Sequence, residues 1–354
     1  MEQQNPDKVL LAMSGGTDSS MAALLLLEQG YEVVGMTMVM FDLPGGEMPR
    51  FVSDASNLAQ RIGIGHHVVD VRNRFNQAVV DYFLEEYAQG RTPNPCVRCN
   101  EHLKWVVLAQ TANELGCAHI ATGHYSQIGH KSGVHYIHKG IDVSKDQSYF
   151  LYRLPQSILQ RALLPLGQWT KARVKEEAFR RGFPSLSHKK ESMGVCFMNG
   201  KSLHEFLKAN ITSKVLEPGR IVDRCGMPVG KHGGVAYYTV GQKKGLELHV
   251  SGNWCVVGID AERNALIAGP SWALQAQKLW ADQIYFANIN DIESGKTYQV
   301  KIRGIDQVPY HEGKLSFKDN LMQIDFMHPV WAVAPGQSVV VYDGDRVLGG
   351  GVAK

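Results

Sequence analysis

Residues 8–13, KVLLAM, are a short apolar run that stops at a glycine turn, SGGTDSS. A run of this length with no polar alternation predicts a strand covered on both faces. The segment DSSMAALLLLEQG then carries apolar residues at helical spacing and ends at Gly30, a helix with its stop signal. YEVVGMTMVM predicts a second strand, SDASNLAQRIG a helix, HHVVDV a third strand and RFNQAVVDYFLEEYAQG another helix. After the turn RTPNPCVRC come the helix NEHLKWVVLAQTANELG and the strand CAHIATGHYSQI. Strands alternating with helices over about 130 residues predict a parallel α/β sheet of Rossmann-like type. The segment 42–50, DLPGGEMPR, has the composition of a lid or a long connection.

From about residue 205 the period changes. GRIVD, GGVAYYTVG, WCVVGID, NALIAGP, QIYFANI, TYQVKIRG, LMQIDF and QSVVVYDGDRVLGGGVA are short strand-like runs separated by Gly and Pro. This pattern predicts mainly antiparallel β modules, the last of them a small barrel. The expected domains are therefore 1–204, an α/β domain, 205–276, a small β-rich domain, and 277–354, a β-barrel.

Length supports that division, because 354 residues exceed one ordinary core. Hydrophobic content of 44% and charged content of 20% are those of a soluble globular chain. No apolar run is long enough to span a membrane, and residues 1–7 lack the basic and apolar parts of a signal peptide, so the expectation is a cytoplasmic protein with no membrane partner. Six cysteines fall short of a disulfide scaffold. A net charge of +3 does not by itself argue for nucleic acid, so that case rests on local patches.

The turn AMSGGTDSS follows a strand and opens a helix, the geometry in which backbone N–H groups and the helix dipole bind phosphate. Ala12, Met13, Ser14, Gly15, Gly16, Thr17, Asp18 and Ser19 are the candidate nucleotide residues. Two glycines allow close approach, and Ser14 and Ser19 can donate hydroxyls. Asp18 repels anions, which makes sense if it holds magnesium or caps the helix. The Gly-Lys-Ser/Thr ending of a Walker loop is missing. A tight turn capped by Ser14 or Asp18 is the plainer reading.

Cys96 and Cys99 sit in a Pro-bounded turn that leads into a helix, where the dipole and Arg98 favour a thiolate. Cys196 follows Lys189 and Lys190 in a loop-like segment of similar character. Zinc wants four ligands, and no second Cys-x-x-Cys pair exists, although His102 with Cys196 would complete a Cys₃His set. Cys117, Cys225 and Cys255 read as packing or turn residues.

Seven strings now appear in order: AMSGGTDSS, TPNPCVRCN, ATGHYSQI, KDQSYFLY, GVCFMNG, YYTVGQKKGL and APGQSVVVYDGDRVLGGG. Together they resemble the bacterial tRNA-specific 2-thiouridylases over nearly the whole chain, and the first string resembles the pyrophosphatase loop of enzymes that split ATP into AMP and pyrophosphate. The resemblance implies ATP and Mg²⁺ as cofactors, tRNA with a wobble uridine as substrate, and a persulfide-donating sulfur carrier or cysteine desulfurase as partner. It implies that Cys196 carries persulfide sulfur and that Cys99 forms a transient disulfide with it. Cys96 takes a position where many members have Asp; Cys96, Cys99 and Cys196 can alternatively ligate an iron–sulfur cluster that delivers sulfide. Met38 and Gly123 would lie by the nucleotide, and Asn94, Pro95, Cys96 and His124 by the target base. Lys145, Asp146, Gln147, Arg303, Gly304 and Gln337 match positions that meet tRNA.

The chain departs from the family at several of these places. Gly304 replaces the aromatic that usually follows Arg303, and Lys243 stands where Arg is common. The segment 161–190 carries eight basic and two acidic residues, which predicts either a phosphate-binding face or a solvated helix. Two rival functions remain open on sequence alone: a small-molecule amide or guanidine synthetase sharing the loop, and a zinc-bearing RNA-binding module.

Overall fold

The computed structural model describes residues 5–42, 48–187, 194–304 and 310–354. Most of the segment 42–50, and Lys189 with Lys190 of the basic stretch, lie outside the described residues. The chain divides into two compact units. The first comprises 1–78, 96–197 and 344–348; the second comprises 79–95, 198–343 and 349–354.

The first unit opens with β1 (Asn5–Ala12), α1 (Thr17–Glu28), β2 (Glu32–Val39), α2 (Arg50–Ile62), β3 (Gly65–Asp70) and the short α3 (Arg72–Phe75). The second unit contributes α4 (Asp81–Ala88). The first resumes with α5 (Pro95–Cys99), a π-helical turn (Asn100–Lys104), α6 (Trp105–Glu114) and β4 (Cys117–Ala121). The hairpin β5 (Ser126–Lys131) and β6 (Val134–Lys139) follows, then α7 (Gln156–Leu159), β7 (Ala162–Leu163), α8 (Lys171–Arg180) and α9 (Pro184–Ser187).

Five parallel strands form the sheet of this unit in the order β3-β2-β1-β4-β7. The order reverses at β1, so a switch point lies between the carboxyl ends of β1 and β4, where open α/β sheets bind ligands. Helix α1 is apolar nearly all round because it is buried on most sides; Met21, Ala22, Leu25 and Leu26 join Val9, Leu11 and Val33 in the main core. Helix α2 buries only Val52, Ala55, Leu58 and Ala59, one face at helical spacing, and stops at Gly63 in the left-handed region.

Two expected elements are broken by packing. The strand anticipated through 117–128 ends at Ala121, and β5 restarts at Ser126 in another sheet. A Cβ at Gly123 would lie 2.9 Å from the Asp18 carbonyl carbon and from the Ser19 nitrogen, so the chain leaves the sheet where it touches the start of α1. The segment GGVAYYTVG forms a 3₁₀ turn at Val235–Tyr237, because Gly234 (φ 143°) packs on the backbone of Leu216.

The second unit is mainly β, with α10 (Leu203–Asn210) at its start, closed by a Ser202–Glu205 capping box. A five-stranded sheet runs β10-β9-β8-β12-β11, from β8 (Gly219–Val222), β9 (Pro228–His232), β10 (Glu247–Leu248), β11 (Trp254–Asp260) and β12 (Ala265–Pro270). A six-stranded barrel follows: β13 (Gln275–Phe286), β14 (Thr297–Lys301), β15 (His311–Lys318), β16 (Leu321–Trp331), β17 (Ser338–Asp343) and β18 (Arg346–Ala353). Strand β13 pairs with both β16 and β18 and so closes it. The architecture is the expected one: a Rossmann-like parallel sheet, then β modules ending in a barrel.

Candidate functional site

The loop between β1 and α1 sits at the switch point. Gly15 has φ 63°, and a Cβ on it would meet the Phe51 carbonyl oxygen at 2.7 Å and Asp54 Cβ at 2.8 Å. Its job is to let the loop turn tightly against α2. Gly16 is the N-cap of α1, and no side chain caps that end, so neither Ser14 nor Asp18 plays the capping role. Ser19 Oγ instead accepts from the Ser14 N–H at 3.2 Å, and Ser20 Oγ donates to the Gly16 carbonyl at 2.7 Å. Thr17 Oγ1 donates to Leu186 O at 2.6 Å. Ala12 and Met13 close β1 beside Met36, and Met38 is buried in β2 opposite Val69.

Asp18 is held in a way the sequence did not reveal. Lys171 Nζ donates to both of its carboxylate oxygens, at 2.6 and 2.8 Å, and Tyr125 OH donates at 2.7 Å. Lys171 is a buried cation at the first position of α8, the end of a helix where the dipole disfavours it. Asp18 thus has a lysine and a phenol where a magnesium ion would need its lone pairs, and among the described residues no group of three or more His, Cys, Asp or Glu is arranged to hold a metal. Tyr125 is itself fixed by Gln147, whose Oε1 accepts its N–H at 2.9 Å. Asp146 accepts from Gly140 N, Ser148 N and Ser148 Oγ, so it caps its own turn. Gly123, expected near the nucleotide, packs on the backbone of Asp18 and Ser19 at the start of α1.

The cysteines gather around a second lysine. Cys96 and Cys99 lie on α5, and Cys196 begins a 3₁₀ turn whose next residue, Phe197, packs edge-on to Phe75 with centroids 5.6 Å apart. Cys99 is buried, whereas Cys96 and Cys196 are reached by solvent. All three thiols are nonetheless surrounded by protein, the combination found in a recess. Burial pushes Cys96 up to about 11, with the neighbouring Cys196 adding to the rise. Burial also raises Cys99 and Cys196. Lys104 opposes the rise at all three, and its backbone N–H bonds to Cys99. The expected thiolate-favouring setting is therefore corrected: desolvation outweighs the helix terminus, and the compensating charge is Lys104, not Arg98. Arg98 is turned to Ala78 O (3.2 Å) and His102 Nε2 (2.6 Å). His102, the candidate fourth zinc ligand, is occupied by Arg98 and Glu101.

All six cysteines are free thiols, so the implied Cys99–Cys196 disulfide is not formed here. Each of Cys96 and Cys99 nevertheless feels the charge of Cys196, about 100 residues away in sequence. His124 completes the group. It shares a 2.7 Å hydrogen bond with Thr122 Oγ1 and stacks on Trp105 at 6.3 Å. Burial, helped by Lys104, drives its pKa well below the usual range, so it is neutral.

Other expected contacts have structural partners. Asn94 and Pro95 fall in the second unit, immediately before Cys96. Gln337 donates its amide to the carbonyls of Thr92 (2.9 Å) and Pro93 (3.3 Å). Arg303 donates to the Ala332 carbonyl, and Gly304 follows it. Lys145 is half-buried, with its N–H on Asp142 O. Arg180 and Arg181 pair with Glu177, and Arg181 also with Glu28, so much of the basic stretch is a charge-paired helix.

A Rossmann-like sheet with an uncapped glycine loop at its switch point is the architecture of α/β domains that bind nucleotides, and the same unit carries Cys96, Cys99 and Cys196. Residues 7–200 match the family described as tRNA methyl transferase HUP domain, 204–270 its PRC-barrel domain, and 276–353 the aminomethyltransferase beta-barrel domain. The chain is 43% identical to tRNA-specific 2-thiouridylase MnmA 3 of Phocaeicola vulgatus, over 98% of this chain and 94% of that one. It is 42% identical to the MnmA of Syntrophomonas wolfei, over 97% and 99% of the two chains, and 40% identical to that of Amoebophilus asiaticus, over 98% and 95%. The chain belongs to the tRNA-specific 2-thiouridylase family.

Proposed function

We propose that this protein is an ATP-dependent sulfurtransferase acting on the C2 oxygen of the wobble uridine of tRNA. The observation that carries the reading is the electrostatic coupling of Cys99 to Cys196, and of both to Lys104, in the same unit as the phosphate loop. A small-molecule synthetase needs the loop but has no use for paired thiols.

ATP lies along 12–19, its phosphates at the uncapped start of α1. The base must be pulled from its stack before its oxygen can reach phosphorus. The uridine O2 attacks the α-phosphorus, the bond to the β-phosphate oxygen breaks, and pyrophosphate leaves. The N-terminus of α1 offsets the charge that accumulates there, and Lys171 neutralises the Asp18 carboxylate that would otherwise repel it. Sulfur arrives as a persulfide on Cys196, delivered by a sulfur carrier. Its terminal sulfur attacks C2, and AMP departs with the former O2. Cys99 then attacks the Cys196 sulfur, breaking the S–S bond to the transferred atom. This leaves thiouridine and a Cys99–Cys196 disulfide that an external thiol reduces. Neutral His124, held by Thr122, presents a nitrogen to the base. Cys96, with its raised pKa, is a neutral thiol that can donate a weak hydrogen bond.

The test is anaerobic reconstitution with unmodified tRNA, ATP and a persulfide source, followed by nucleoside mass analysis. One 2-thiouridine and one AMP per turnover are expected. Product formation that persists in Cys196→Ser, or AMP release that ignores tRNA, would overturn the proposal.

A further inference from the structure

Two solvent-facing tryptophans of the second unit are linked through Ser271. Trp272 is 65% exposed in the turn Ser271–Leu274 between β12 and β13, and Trp331 is 38% exposed at the end of β16. The indole N–H of Trp331 donates to both the carbonyl and the hydroxyl of Ser271, each at 3.1 Å, which ties one ring to the neighbour of the other. Each ring has a guanidinium near its face: Arg224 lies 5.5 Å from Trp272, and Arg303 lies 5.7 Å from Trp331. A Cβ at Gly241 (φ 94°) would meet the Trp331 ring at 3.2 Å, so this loop packs on the same indole. The loop continues into the exposed Lys243 and Lys244.

Large aromatic faces left in water and rimmed by cations mark an interaction site rather than a core. The ligand that suits them has flat π faces joined by negative charge. Unpaired nucleotides have both: each base stacks on an indole, and a phosphate meets the exposed Arg224, while Arg303, bonded to the Ala332 carbonyl, holds the Trp331 ring in place. A lipid surface would want aliphatic residues and no ring pairing, and an acidic peptide would engage the arginines but leave the indoles unused. The arrangement also accounts for Gly304. The aromatic missing after Arg303 has a substitute in space, since Trp331 reaches Arg303 from another strand.

We infer that Trp272 and Trp331, with Arg224 and Arg303, form a stacking platform for unpaired nucleotides of the tRNA. The inference rests on tRNA being the substrate and adds the place and mode of its grip.

The test measures binding of unmodified tRNA to the full-length enzyme across a salt series. Trp272→Ala and Trp331→Ala should each weaken binding about tenfold without changing the slope of log K against log salt. Arg224→Gln should reduce that slope by about one. Trp331→Phe should recover most of the affinity, which separates loss of stacking from loss of fold. Trp280→Ala is the control: Trp280 is also 38% exposed, but in register it faces Gln323, five residues along β13 from the partner of Trp331, about 17 Å away. Unchanged affinity in both alanine variants, or an equal loss in Trp280→Ala, would overturn the platform while leaving the substrate assignment intact. Failure of the wild-type enzyme to bind tRNA would instead overturn the substrate assignment, and the platform with it.

Discussion

Lys104 is the charge that opposes burial at all three thiols of the proposed sulfur chemistry. Burial holds Cys96, Cys99 and Cys196 above the ordinary thiol range, and Lys104 lowers all three. Since the thiolate is the nucleophile, few thiolates exist at neutral pH. Single-turnover thiolation should therefore rise with pH from 7 to beyond 9 without reaching a plateau. Lys104→Gln removes the opposing charge, so the thiol pKa values climb and the whole profile should move to higher pH. A stopped pH series on both proteins checks the direction; a shift to lower pH would remove Lys104 from this role. The raised thiols also stabilise the fold below about pH 9, their unfolded value, and that contribution fades as pH rises through the folded pKa. The sequence displayed the cysteines plainly. It pointed to Arg98 as the charge beside them because Arg98 lies between them, whereas the π-helical turn brings Lys104 to bear on the cluster.

Among the elements, the start of α1 is the most constrained. Gly15→Ala faces both a left-handed backbone, about 1–2 kcal/mol for an L-residue, and a 2.7 Å contact with Phe51 O. Denaturant unfolding should show a loss of that size or more. Gly123→Ala pushes on Asp18 and Ser19 at 2.9 Å, so its effect should appear as a raised KM for ATP, with the sulfur step intact in tRNA already adenylated. Lys171→Met leaves Asp18 with Tyr125 alone. The cost in stability should be about 2 kcal/mol, less than for a fully enclosed pair because the Asp18 side chain is 36% exposed. The KM for ATP should rise at least tenfold, measured by pyrophosphate release. No local pattern announces Lys171. It reads as one base in a basic stretch, and only the packing of α8 against α1 reveals which one matters.

At the scale of the whole molecule, the barrel supports the segment that leads to the cysteines. Gln337 donates to the carbonyls of Thr92 and Pro93, and Thr92 N–H donates to Pro335 O at 2.8 Å, all within the second unit. Gln337→Ala removes two hydrogen bonds worth about 1 kcal/mol each. Thiolation kcat should fall several-fold while the KM for ATP stays unchanged; a changed ATP KM with normal kcat would contradict a positioning role. By motif this glutamine matched a tRNA contact, and its amide nitrogen donates to the protein backbone.

The alternation of apolar runs with helical periods, and then the change to short strands between glycines, determined the α/β-then-β order. Such periods are written residue by residue, and burying them admits few arrangements. The string SGGTDSS and the three cysteines likewise put phosphate and sulfur chemistry forward as the readings to test, because both depend on residue type. Tertiary structure alone decided which charge faces which group: Lys171 on Asp18, Lys104 over the thiols, Trp331 beside Arg303. Electrostatic and stacking energies depend on distance and desolvation, and residues 28 or 153 positions apart acquire those quantities only when the chain is folded.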